Sequence, residues 1–79
     1  MTTQRFEHHR SGQAAVYEIR IQGHLSAHRA AWFEGLEVQS LENGETVLRG
    51  ELPDQPALFG ILSRIRDAGI PLLEVRRVA

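Results

Sequence analysis

The chain contains no cysteine and no lysine, and its composition narrows what it can be. Without cysteine it can form no disulfide, thiolate nucleophile or cysteine metal site. Ten acidic residues outnumber nine arginines, and the net charge of −1 argues against nucleic-acid binding through bulk charge. No apolar run is long enough to span a bilayer. We therefore expect neither a nucleic-acid partner nor a membrane partner.

Seventy-nine residues are enough for one small domain with a single shared core. Residues 1–14 are polar, show no periodicity and contain a Ser-Gly pair, so we predict a mobile N-terminal arm there. Residues 15–79 are predicted to form the domain. No apolar segment of the secretory type begins the chain, so we expect a cytoplasmic location.

Alternating apolar and polar residues predict four strands, at Ala15–Gln22, residues 36–41, Glu45–Leu52 and residues 70–78. Ser26 is a candidate N-cap for a short helix over residues 27–34. A second helix is predicted after the N-cap Asp54, because Leu58 begins an i, i+3, i+4, i+7 apolar pattern. Gly69 is predicted to end it.

The turn between the second and third strands can take two forms. A two-residue Asn-Gly turn would place Val38 opposite Arg49 and mix apolar with charged residues on both faces. A type I turn with Gly44 in a G1 bulge places Val38 opposite Leu48 and Glu37 opposite Arg49. We prefer the bulged hairpin because one face then becomes apolar and the other carries an opposite-charge pair.

The order β-α-β-β-α-β predicts an α+β, ferredoxin-like split βαβ fold. We expect a four-stranded antiparallel sheet of order 4-1-3-2 with two helices on one face. Alternation places Leu72 and a polar ladder on the open face; the ladder comprises Glu18, Arg20, Arg49, Glu51, Glu74 and Arg76. The ladder is interpreted as a solvated, self-paired surface, or alternatively as a polar interface. The central strands place no aromatic residue on this face, which argues against base stacking of the RNA-recognition type.

Trp32 and Phe59 fall on the flanks of the two predicted helices rather than on their apolar stripes. Each could pack over its own helix edge, or could anchor a subunit or partner interface. Because a small domain gains stability from oligomerisation, we favour a homo-oligomer, most simply a dimer. It would associate through these aromatics or through a sheet edge.

The loop between the first strand and the first helix is a candidate ligand site, formed by Gly23, His24, Ser26 and Arg29. Free amides at a helix start can hold a small anionic or zwitterionic ligand. His24 and His28 are four residues apart, but His24 precedes the N-cap, so we expect no metal site and no cofactor. The sequence contains none of the nucleophile-elbow, P-loop, zincin or dinucleotide-binding motifs, and we expect no enzymatic activity.

Residues 16–78 carry a series of short motifs, which read Glu18-Ile19-Arg20, Gly23-His24-Leu25, Trp32-Phe33-Glu34-Gly35-Leu36, Asn43-Gly44, Asp54 to Gly60 and Arg66 to Leu72. In this pattern the chain resembles a family of small stand-alone bacterial proteins to which no activity is assigned. The resemblance implies a compact one-domain protein. Pro56 departs from the pattern at the start of the second helix.

Two other families resemble the chain more loosely. Regulatory amino-acid-binding domains of the ACT type have a similar layout and a glycine in the first βα loop, here Gly23, which implies a dimer with ligand between subunits. Acylphosphatases have a similar layout and a stretch like Ile21-Gln22-Gly23, but need a loop arginine and a strand asparagine that this chain does not place there. Our leading hypothesis is a non-enzymatic interaction module, with a ligand-binding regulatory domain and then an acylphosphatase-like hydrolase as alternatives.

Overall fold

The computed structural model describes residues 14–79, so the predicted N-terminal arm lies outside the described residues except for residue 14. The strands are β1 (Ala15–Gln22), β2 (Glu37–Ser40), β3 (Glu45–Leu52) and β4 (Leu72–Arg77). Between β1 and β2 lie a single helical turn, α1 (Ala27–Ala30), and a 3-10 turn (Ala31–Phe33). The long helix α2 (Gln55–Asp67) connects β3 to β4.

The four strands form one antiparallel sheet in the order β2-β3-β1-β4. Counted from the β4 edge, the same neighbours read 4-1-3-2. The first crossover connects β1 to β2, and the second, α2, connects β3 to β4. Both pack on one face of the sheet, where Phe33 and residues of α2 form one core with β1 and β3. The architecture is an α+β fold in which β1 and β3 are central and β2 and β4 are edges.

The bulged hairpin between β2 and β3 is confirmed. Val38 lies opposite Leu48 and Glu37 opposite Arg49, as the charge and apolar patterns require. The Gly44 amide donates to the Leu41 carbonyl at 3.2 Å, and Gly44 has a φ of +88°. Glycine adopts this left-handed conformation without the steric cost that a side chain brings.

The ferredoxin-like expectation is wrong at the first crossover, because no regular helix covers residues 27–34. Only one α-helical turn forms, and none of its four residues is buried. The tighter 3-10 turn that follows places the Phe33 side chain in the core, where it is 1% exposed. A short segment with one large apolar anchor cannot stabilise further helical turns, since helical stability in proteins comes mainly from packing an apolar stripe.

The core lies between the centre of the sheet and the crossovers. Its most buried side chains are Ile19 and Ile21 of β1, Leu48 of β3, Phe33, and Ile65 of α2. Each strand residue alternates with a polar neighbour on the opposite face, which is the pattern of a sheet covered on one side. The covering segments reach the central strands but leave the two edge strands open.

Strand β4 is shorter than predicted and is irregular where it begins. Its register with β1 shifts between Arg20 and Ile21, so Leu72 lies opposite the buried Ile21. The placement of Leu72 on the open face is therefore wrong. Strict alternation predicted that placement, but a bulge inserts one extra residue and moves the chain before it to the other face.

Candidate functional site

The four residues of the predicted ligand loop are used within the fold. Gly23 donates its amide to the Gly44 carbonyl at 2.7 Å, and the His24 imidazole Nε2 lies 2.9 Å from the Leu41 carbonyl. The Ser26 hydroxyl accepts from the Arg29 amide and caps α1. These hydrogen bonds stabilise the β2–β3 hairpin and the single turn of α1. They do not converge on a shared ligand position.

Trp32 lies beside a shallow cleft between the 3-10 turn and α2. The cleft has a volume of about 520 Å³ and is lined by Ala31, Trp32, Arg64, Asp67 and Ala68. The Arg64 Nη1 donates to the Trp32 carbonyl at 2.6 Å, while the Arg29 guanidinium lies 5.6 Å from the indole centroid. Sequence reasoning missed Arg64 and Asp67, because their approach to Trp32 depends on how α2 packs against a distant segment.

Phe59 and Trp32, the two predicted anchors, do not form a single patch. At 100° per residue, Phe59 is about 140° around α2 from Arg64, the residue that contacts the Trp32 segment. Phe59 therefore lies on the flank of α2 that points away from the Trp32 segment. Phe59 is 57% exposed, which makes it the most exposed large apolar side chain of residues 14–79.

The polar ladder on the open face forms two rows of alternating charge. The first charge row runs Glu45, Arg20, Glu74: the Arg20 Nε lies 3.5 Å from Glu45 and its Nη2 lies 3.1 Å from Glu74. The second charge row runs Arg49, Glu18, Arg76, with distances of 2.5 and 2.6 Å. Both rows cross β3, β1 and β4 and end at the β4 edge, the first on a carboxylate and the second on a guanidinium.

Glu51, the sixth predicted member of the ladder, stands apart from both rows. It lies opposite Val16 in the register of β3 with β1. Over residues 14–79, no ion pair involves it. The ladder is thus confined to the part of the sheet where charged residues of β1 meet charges on both neighbouring strands.

Glu18 is the most constrained charge of the two rows. Hydrogen bonds from Arg76 and then Arg49 hold the pKa of its carboxyl below the ordinary value of 4.5, and outweigh its partial desolvation. The same contact with Glu18 raises the pKa of Arg76. The ion pairs therefore persist to lower pH than an unperturbed glutamate would allow.

The lowered pKa gives Glu18 a pH-dependent role in stability. A carboxyl whose pKa is lower in the folded than in the unfolded chain stabilises the fold above the unfolded value, near 4.5, and loses that contribution as pH falls through the folded value. We expect Glu18→Gln to flatten the decline of the free energy of unfolding below pH 4.5. Urea unfolding from pH 7 to pH 2 measures this. Glu51→Gln is the matched control. If Glu18→Gln lost stability below pH 4.5 as steeply as the wild type and Glu51→Gln, the prediction would be contradicted.

Strand β4 is the longer of the two edge strands that are exposed along their whole length. All six of its residues are exposed, among them Leu72, Leu73 and Val75. Just beyond β4, the Val78 amide donates to the Val16 carbonyl of β1 at 2.8 Å. With the register of the pair, this bond fixes the alternation: Glu74 and Arg76 direct their main-chain groups at β1, and Val75 and Arg77 direct theirs outward. The edge thus offers both apolar side chains and unpaired main-chain groups.

Two further classes of site find no support in residues 14–79. No group of three or more His, Asp or Glu side chains there could hold a metal ion. Within the same stretch, no helix combines the length and apolar character needed to cross a membrane. The edge strand, the charge rows and the Trp32 cleft are the features left to explain.

The structure defines a small α+β domain with an open four-stranded sheet. The chain belongs to the family described as domain of unknown function DUF8691, whose model matches residues 16–76. No curated protein and no solved structure matches the chain. The family match supports the resemblance to a family without an assigned activity, while the individual motifs quoted above stay a prediction.

Proposed function

We propose that this protein is a non-enzymatic interaction module that self-associates through the β4 edge. The observation that carries the proposal is the complete exposure of β4, a six-residue strand with three large aliphatic side chains. An exposed apolar edge is a ready template for pairing with another strand, and proteins normally shorten, charge or cover such edges. Here the outward main-chain groups and the apolar side chains lie on the same strand.

The opposite edge supports association less well. Strand β2 has four residues, and Val38 is its one large apolar side chain. Phe59 adds to the argument for self-association, because it is a large exposed aromatic side chain that no segment of residues 14–79 covers fully. A partner strand on β4 would extend the sheet and bring Val75 towards apolar cover, which a domain of this size gains from.

Val75 and Val38 provide a matched test, because both are 37% exposed and both lie opposite core residues on an edge strand. We expect the wild-type protein to sediment as a dimer at high concentration and Val75→Asp to sediment as a monomer, because a carboxylate at the joined edge would be desolvated. Val38→Asp is expected to dimerise like wild type.

Sedimentation velocity over a hundredfold concentration range measures the difference, with circular dichroism as the control for folding. A wild-type chain that stays monomeric throughout would contradict the proposal. Equal loss of dimer in both variants would also contradict it, because the effect would then not be specific to β4.

A further inference from the structure

We infer that the partner of β4 is the β4 strand of a second copy, paired antiparallel about a two-fold axis at Val75, so that the two charge rows continue from one subunit into the other. The inference rests on the proposed self-association and specifies its geometry. It is carried by the signs and positions of the charges that end the rows, Glu74 and Arg76.

Main-chain geometry first limits the registers. Because Val75 and Arg77 direct their amides and carbonyls outward, a partner strand must oppose them with residues of the same kind. For a symmetric antiparallel pair, three registers then remain, centred on Glu74, Val75 or Arg76. A centre between two residues would oppose an outward residue with one whose main chain already bonds to β1, and a centre at Leu73 or Arg77 would lie at the bulge or at the end of β4.

Charge then selects one of the three. Centring on Glu74 sets two carboxylates directly opposite each other, and centring on Arg76 does the same with two guanidinium groups. Like charges in direct cross-strand positions are destabilising. Centring on Val75 sets Glu74 opposite Arg76 of the partner subunit twice, once on each side of the axis, and sets the two Val75 side chains together on the helix-covered face.

The two rows become continuous in that register. The first charge row runs Glu45, Arg20, Glu74 and then meets the partner's Arg76, where the second charge row of the partner continues it. Charge sign alternates at every step across six strands. Glu74 and Arg76 have exposed side chains, at 48% and 59%, so each can add a partner beyond its present contact.

The spacing of the pair also suits ion pairing. Positions whose main chains point away from the joint are non-hydrogen-bonded pairs, in which opposing side chains lie closest. Glu74 and the partner's Arg76 occupy such positions. Val75 and the partner's Val75 form the hydrogen-bonded pair at the axis, with Cα atoms about 5.5 Å apart.

Charge reversal tests the register through complementation. Glu74→Arg alone and Arg76→Glu alone each create two like-charge pairs across the axis, and we expect each to weaken dimerisation by about tenfold or more. Each also places a like charge beside Arg20 or Glu18 within the subunit, so circular dichroism checks that the variants fold. An equimolar mixture of the two variants restores both opposite-charge pairs in a heterodimer. The double variant Glu74→Arg/Arg76→Glu restores them in a homodimer, whereas centring on Glu74 or Arg76 would again oppose like charges there.

A cysteine at the axis provides a second readout that does not depend on the charges. The chain has no cysteine of its own, so Val75→Cys introduces one thiol. The predicted Cα separation lies inside the range that a disulfide spans, about 4.4–6.8 Å. We expect Val75→Cys to form an intermolecular disulfide dimer on mild oxidation, and Val38→Cys, equally exposed on the other edge, to form little.

The outcomes separate the two proposals. Failure of the wild-type chain to dimerise overturns both. A wild-type dimer that depends on Val75, but in which neither the mixture nor the double variant recovers and Val75→Cys does not cross-link, overturns the register and leaves association through β4 standing. Recovery in the mixture and the double variant, with cross-linking at residue 75, is the result expected.

Discussion

Phe33→Ala is expected to lower the free energy of unfolding by about 3–5 kcal/mol, the range for deleting a fully buried aromatic side chain. Phe33 is the largest fully buried side chain of the described residues and the main apolar anchor of the first crossover. A chain of this length has a total stability of about 4–12 kcal/mol. A large share of the fold's stability therefore depends on a side chain presented by a three-residue turn.

Phe59→Ala provides the matched control, since the chemical change is the same and the site is exposed. We expect it to change the stability of the monomer by less than about 0.5 kcal/mol. Urea denaturation at low protein concentration, monitored by circular dichroism, compares the two. Similar losses in both variants would contradict the location of the core.

Gly50→Ala and Gly60→Ala are expected to change stability in opposite directions. A Cβ at Gly50 would lie 2.6 Å from the Leu36 side chain and 3.1 Å from the Gly35 carbonyl, and the main chain there cannot simply rotate away. We expect a loss of about 1–3 kcal/mol. Gly60 has no atom within 4 Å of such a Cβ and lies inside α2, so alanine should stabilise by about 0.5–1 kcal/mol.

Thermal unfolding of the two alanine variants checks both signs with one kind of substitution. The Gly50 result tests how closely Gly35 and Leu36, at the end of the first crossover, approach β3. A stabilised Gly50→Ala would mean that this segment lies further from β3. A destabilised Gly60→Ala would mean that the exposed side of α2 is covered in solution.

Local chemistry explains why much of the sheet could be predicted from the sequence. Ala15–Gln22 and Glu45–Leu52 are strands as expected, because strict alternation over eight residues determines both the conformation and the buried face. The β2–β3 register followed from one glycine and two charges. Each of these signals comes from residues that are close in sequence.

The features that were missed depend on contacts between distant segments. The first crossover has an N-cap and helix-forming residues, yet tertiary packing of Phe33 favours a 3-10 turn. The bulge that moves Leu72 reflects how β4 leaves α2 and joins β1. The charge rows include Glu45, which was not expected, and leave out Glu51, which was. The alternation of sign along two rows needs the register of three strands at once.

Amide hydrogen exchange in β4, followed residue by residue at two protein concentrations, tests the central claim most directly. In a monomer the inward amides of Glu74 and Arg76 are protected and the outward amides of Val75 and Arg77 exchange freely with water. If β4 pairs with a second β4, we expect the Val75 and Arg77 amides to become protected as concentration rises, with β2 unchanged. An alternating pattern that stays the same at every concentration would contradict the account.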